Sequence, residues 1–108
     1  MQINEYQEKA IETAIYGAGH TIVYPTLGLA GEAGELANKV KKVLRDKEGV
    51  FSEEIKEDLK KEAGDALWYI AALLRDLGYT LEECAEENIN KLHSRKERGV
   101  IGGSGDNR

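Results

Sequence analysis

ALWYIAALL, residues 66 to 74, decides the fold, because almost every residue in it is apolar or small. It lies within a longer segment, Glu53 to Leu77, whose apolar residues recur at the three- and four-residue spacing of an α-helix. A helix that is apolar on more than one side must be covered on more than one side. This segment is therefore predicted to be the central helix, helix 3.

Segments of helical spacing flank it at about residues 4–17, 25–46 and 80–98. Asn4 with Gln7, and Thr80 with Glu83, have the spacing of N-terminal caps for the first and last of these. Short connections favour antiparallel neighbours, so we predict an all-α, antiparallel four-helix bundle over residues 1–98, followed by a Gly-rich C-terminal tail at 99–108. Four helices of this length cover helix 3 poorly, which favours a homodimer or homotetramer.

The composition excludes several classes of partner. There are 20 acidic and 15 basic residues, for a formal net charge of -5, so the chain lacks the positive field of a protein that grips a nucleic-acid backbone. No apolar run approaches the roughly 18 residues of a membrane span. Cys84 is the single cysteine, and the polar start of the chain does not resemble a signal peptide. We expect a cytoplasmic protein that binds neither polymeric nucleic acid nor membranes.

Two pairs of acids lie at matching positions on helices 2 and 3. Glu32 and Glu35 flank the apolar stripe of helix 2, at about 60 and 120 degrees from its centre. Glu62 and Asp65 flank the stripe of helix 3 at the same two offsets, so antiparallel packing would bring all four carboxylates together. Such a cluster repels itself unless a cation binds, and oxygen-only ligands suit Mg²⁺, with Mn²⁺ as a substitute. A solvated acidic face is the alternative.

Three glycines inside the predicted helices are a second unusual feature. Gly31, Gly34 and Gly64 each cost up to about 1 kcal/mol relative to alanine at such positions. We therefore expect them to permit the close approach of another helix or of a ligand, with simple packing as the alternative.

The acid motifs resemble those of a known family. GLAGEAGEL at residues 28–36 and EAGD at 62–65, with 26 residues between Glu35 and Glu62, resemble the MazG-like nucleotide pyrophosphohydrolases, an all-α superfamily. The family pattern is Glu-Glu-x-x-Glu followed by Glu-x-x-Asp, and Gly31 replaces its first Glu here. The resemblance covers nearly the whole chain, including NINKLHSR at 88–95 and GGSGDNR at 102–108.

This resemblance implies a reaction. The expected activity is Mg²⁺-dependent hydrolysis of a (deoxy)nucleoside triphosphate to the monophosphate and pyrophosphate, for house-cleaning or for control of the dNTP pool. Glu32, Glu35, Glu62 and Asp65 would be the metal ligands. Glu35 and Glu32 would be the catalytic residues. Glu35 would be the general base, because of its place in the motif.

Six residues are candidates for binding the nucleotide. Asn88, Lys91 and Arg95 of helix 4 are candidates for holding the polyphosphate, the alternative being charges that solvate a helix end. The others are Lys39 for contact with the polyphosphate, and His20 and Trp68 for contact with the base of the nucleotide. An aromatic at helical spacing is more often part of a core.

Two other functions stay open. The first is a non-catalytic helical dimerisation or metal-binding module, in which the acids are solvated or bind metal structurally. The second is an antitoxin-like regulatory protein, which a stable complex with another cellular protein would indicate. Turnover of a nucleotide with Mg²⁺ separates the enzyme from both.

Overall fold

The computed structural model describes residues 1–108 and contains four α-helices, one 3₁₀ turn and no strand. The elements in chain order are α1 at Ile3–Ile11, the 3₁₀ turn at Ala18–His20, α2 at Val23–Asp46, α3 at Glu53–Leu77 and α4 at Leu81–Glu97. The prediction of an all-α fold with four helices is confirmed. None of the helices combines the length and the hydropathy that crossing a membrane requires.

Helix α3 is the central element, as predicted. It packs against both α2 and α1, and α1 also contacts α4. Ala71 of α3 is fully buried and forms the core with Ala10 of α1 and Leu81 of α4. The ends of α3 lie where the sequence places them: the Ser52 hydroxyl accepts a hydrogen bond from the Ile55 N–H at 3.2 Å, and Gly78 ends the helix with φ +90°.

Helix α1 differs from the prediction at both ends. It begins at Ile3 and ends at Ile11, so the prediction of a helix that starts with an Asn4 cap and continues to Gly17 is wrong. The side chains of Asn4 and Gln7 do not cap α1. Their oxygens accept hydrogen bonds from the backbone N–H groups of Glu82 and Leu81, each at 3.0 Å.

These bonds complete the start of α4. The predicted Thr80 capping box is present, and the Thr80 hydroxyl accepts a hydrogen bond from the third N–H of α4 at 3.1 Å. Asn4 and Gln7 satisfy the first two N–H groups, so α1 side chains supply caps that α4 cannot supply itself. Gln7 also donates to the carbonyls of Ala71 and Tyr79, which ties α1, α3 and α4 together.

Much of the apolar surface is not covered within the protomer. Only 8 of 108 residues are buried, and the radius of gyration is 16.8 Å, against about 13 Å for a compact domain of about 100 residues. Every residue of α4 from Glu82 to Asn90 is exposed. Ile89 and Leu92 are 49% and 38% exposed, so α4 presents an uncovered apolar face.

Asp76 of α3 fixes the start of α2. Its carboxylate is only 1% exposed and accepts hydrogen bonds from the Ile22 N–H and the Tyr16 hydroxyl, each at 2.8 Å, and from Arg75 Nε at 2.9 Å. Ile22 has φ +68°, a strained conformation for a β-branched residue. Burial alone would raise the pKa of Asp76, but the bonds from Ile22, Tyr16 and Arg75 outweigh it and hold this pKa below its usual range.

Asp76→Asn should lower the free energy of unfolding by about 1–3 kcal/mol at pH 7, because a charged acceptor of three hydrogen bonds is lost. Since the folded pKa lies below the unfolded value of about 3.9, the carboxylate stabilises the fold above that pH. This contribution is lost as the pH falls through the folded pKa. Urea unfolding at pH 7 and at pH 3 tests both statements. Glu8→Gln, at an exposed acid that forms no ion pair, is the control; an equal Asp76→Asn deficit at both pH values would contradict the linkage.

Candidate active site

Helices α2 and α3 form an antiparallel hairpin. Gly28, near the start of α2, packs against Tyr69 in the second half of α3, while Lys39 further along α2 pairs with Asp58 in the first half of α3. A Cβ atom at Gly28 would overlap the Tyr69 ring, so only glycine allows this close approach. This register is the one that the convergence of the acids requires.

Three of the four predicted metal ligands come together on this hairpin. One carboxylate oxygen from each of Glu32, Glu62 and Asp65 lies within 4.8 Å of the others. Glu32 and Asp65 also line an open cavity of about 430 Å³. The rest of its lining consists of Thr13, Trp68 and Tyr69. The geometry therefore combines an oxygen-only cluster with an aromatic wall.

The clustered carboxylates perturb one another. A hydrogen bond shared with Glu62 raises the pKa of Glu32, and burial and the charges of Asp65 and Glu35 add to the effect. The pKa of Glu62 is lowered, first by the hydrogen bond from Lys39 and then by the bond shared with Glu32. Carboxylates this close repel one another when ionised, so the cluster is a place where a cation would relieve repulsion.

Glu35, the fourth predicted ligand, lies outside the trio. It is exposed, one turn beyond Glu32 on α2, and reaches the cluster only through its charge on Glu32. Its roles as ligand and base stay predictions.

Lys39, predicted at the polyphosphate, pairs instead with acids of α3. Its ammonium lies 2.8 Å from Asp58 Oδ2 and 2.9 Å from Glu62 Oε1. These two bonds, that to Asp58 first, raise the pKa of Lys39. Asp58 was not among the predicted site residues, although it lies one turn before Glu62 on the same helix, a spacing that the sequence displays.

The two candidates for the nucleotide base have different positions. Trp68 stands in the cavity wall, where its indole N–H donates to the Ala10 carbonyl at 3.1 Å and to the Thr13 hydroxyl at 2.8 Å. Its ring packs edge-on against Tyr69 at 5.1 Å. His20 is exposed in the 3₁₀ turn and is not part of the cavity lining. Thr13 was not predicted, because its place beside Trp68 depends on how α1 docks.

The candidates on α4 do not line this cavity in the protomer. Asn88 is exposed. Lys91 Nζ lies 2.7 Å from Asp106 Oδ1, and Arg95 Nη2 lies 3.0 Å from the same atom and 2.7 Å from the Asp106 carbonyl oxygen. These contacts, with Lys91 first, lower the pKa of Asp106. Arg95 is only 5% exposed, so the tail folds over it.

The tail is further held by Arg108. Its guanidinium donates to the carbonyls of Val100 at 3.1 Å and Ile101 at 3.0 Å, and also to that of Gly105. The Gly-rich segment therefore has a defined path over the end of α4.

The three glycines face open space. A Cβ atom at Gly31, Gly34 or Gly64 would have no atom of another helix within 4 Å. The expectation of a close approach to another helix is therefore wrong for these three within the protomer. A close approach occurs instead at Gly28, where a Cβ atom would meet the Tyr69 ring.

Comparison with known proteins identifies the family of the chain. The family model described as the MazG nucleotide pyrophosphohydrolase domain matches residues 24–100, a range that contains all four acids. The Gene 37 protein of Mycobacterium phage L5 is 54% identical over an alignment of 114 residues that covers 100% of both chains. No solved structure matches the chain. With the matched range spanning α2, α3 and α4, the chain belongs to the MazG nucleotide pyrophosphohydrolase family.

Proposed function

We propose that the protein is a Mg²⁺-dependent pyrophosphohydrolase that converts a (deoxy)nucleoside triphosphate to the monophosphate and pyrophosphate. The observation that carries the proposal is the trio Glu32, Glu62 and Asp65, whose oxygens approach within 4.8 Å beside an open cavity. Membership of the family supports the reaction class.

The donor set fits the proposed ion. The trio offers carboxylate oxygens only, which is the ligand type of Mg²⁺, and three protein ligands leave coordination positions for water and phosphate oxygens. Mn²⁺ accepts the same ligands. Glu35 is proposed as a fourth ligand. When bound, the metal supplies neutralisation of the polyphosphate charge and a lowered pKa of water.

The residues around the trio have distinct proposed roles. Glu35, exposed one turn beyond Glu32 on α2, accepts the proton of the attacking water, and Glu32 assists as the neighbouring acid. Trp68 stacks on the base of the nucleotide, since its ring is fixed in the cavity wall by two hydrogen bonds. His20 is a further candidate contact to the base.

The polyphosphate contacts are proposed to involve a second copy of the chain. Asn88, Lys91 and Arg95 lie on α4, which stands clear of the cavity and exposes Ile89 and Leu92. A helix with an uncovered apolar face gains stability by packing on another chain. We therefore propose a homodimer or homotetramer in which α4 is covered and its polar residues face the nucleotide.

The activity is tested by incubating the chain with each common NTP and dNTP plus Mg²⁺ and identifying the products. We expect the monophosphate and pyrophosphate from at least one of them. Release of orthophosphate, or no turnover of any substrate, would overturn the proposed function. Binding of Mg²⁺ without turnover would favour the non-catalytic metal-binding module.

Asp65→Asn should lower kcat/KM by about 100-fold or more, because the proposed metal loses a charged ligand beside the reacting phosphate. Glu57→Gln is the matched control, since Glu57 lies on the same helix, is exposed and pairs only with Lys60. Helix content measured by circular dichroism should be unchanged in both variants. If Asp65→Asn keeps full activity, the assignment of the site is wrong.

The oligomer is tested by light scattering coupled to size exclusion. We expect at least twice the 12.0 kDa chain mass for the wild type. Ile89→Glu places a charge on the apolar face of α4 and should lower the mass towards that of the monomer. Asn90→Glu, about 100 degrees further round the helix, should not. A wild-type protein of monomer mass would contradict the proposal.

A further inference from the structure

Lys39 of α2 binds two acids of α3, Asp58 and Glu62. Its ammonium contacts Asp58 Oδ2 at 2.8 Å and Glu62 Oε1 at 2.9 Å. The side chain of Lys39 is 30% exposed and that of Glu62 is 16% exposed, so both are confined by the hairpin. Glu62 therefore has a hydrogen-bond partner in Lys39, and a carboxylate oxygen of Glu32 lies within 4.8 Å of it.

We propose that Lys39 is a positioning residue, which holds the Glu62 carboxylate in place for the metal. The proposal rests on the Mg²⁺ site of the proposed function. Carboxylates that bind metals are themselves held by hydrogen bonds, and loss of such an outer partner typically lowers metal affinity by about 10–100-fold. Asp58 completes the arrangement, because it accepts a second hydrogen bond from the Lys39 ammonium at 2.8 Å.

This role differs from the polyphosphate contact that the sequence predicts. An ammonium group has three donors, and two of those of Lys39 already point to Asp58 and Glu62. Lys39 is therefore placed to act on the metal site through Glu62. A phosphate could bind only the third donor unless the ammonium left one of these acids.

Charge and geometry predict opposite effects of removing Lys39. If the residue were only a nearby positive charge, its removal would let the site bind a divalent cation more tightly. If it orients Glu62, its removal frees the carboxylate and weakens binding. Lys42 is the matched control for the charge effect, because it is exposed, lies one turn further on α2 and forms no ion pair within the chain.

The experiment measures Mn²⁺ binding to the full chain without nucleotide, from the EPR signal of free Mn²⁺. Lys39→Met should weaken binding by about 10–100-fold. Lys42→Met should leave it unchanged or slightly tighter. Lys39→Arg should restore most of the affinity, because a guanidinium donates to two carboxylates. Lys39→Gln, which keeps one donor group, should be intermediate and serves as a second variant if Lys39→Met folds poorly.

The outcomes separate this role from the function itself. A wild-type chain that binds no Mn²⁺ overturns the metal site and the role of Lys39 together. Wild-type binding with equal or tighter binding by Lys39→Met and Lys39→Gln overturns only the role of Lys39. Unchanged Mn²⁺ affinity with a raised nucleotide KM would also overturn it, because the ammonium would then act on the polyphosphate.

Discussion

The packing of α2 against α3 is the interaction on which the candidate site depends. Its register is fixed at one end by the Tyr69 ring against Gly28 and at the other by the Lys39 ammonium between Asp58 and Glu62. A rotation of either helix by one residue, about 100 degrees, would carry the acids out of reach of one another. The geometry of the acidic trio is therefore a property of the hairpin, and the remaining elements support it.

Bringing like charges together opposes folding, and two features of the hairpin reduce the repulsion. The neighbouring Glu62 carboxylate raises the pKa of Glu32, and the Lys39 ammonium places a positive charge 2.9 Å from Glu62 Oε1. Neither neutralises Asp65. The remaining negative charge favours a cation, and Gly31 and Gly64 leave open space where larger side chains would stand.

The other two helices show how little of this fold is closed within one chain. Helix α1 caps α4 and anchors Trp68 through the Ala10 carbonyl, so it serves both the core and the cavity wall. Helix α4 is fixed at its first turn and at its last, where Asp106 of the tail binds Lys91 and Arg95. Between these points it is exposed, and its apolar side chains Ile89 and Leu92 are 49% and 38% exposed.

The sequence by itself determined the number of helices and the limits of α3 and α4, because helical periodicity and caps act over three or four residues. It also predicted that four acids converge, and three of them, Glu32, Glu62 and Asp65, lie together. Tertiary structure decided that Asn4 caps α4 instead of α1, and that Lys39 joins Asp58 and Glu62. Caps and long charged side chains bind whichever partner lies within reach. That partner belongs to another helix, whose distance is set only when the helices pack.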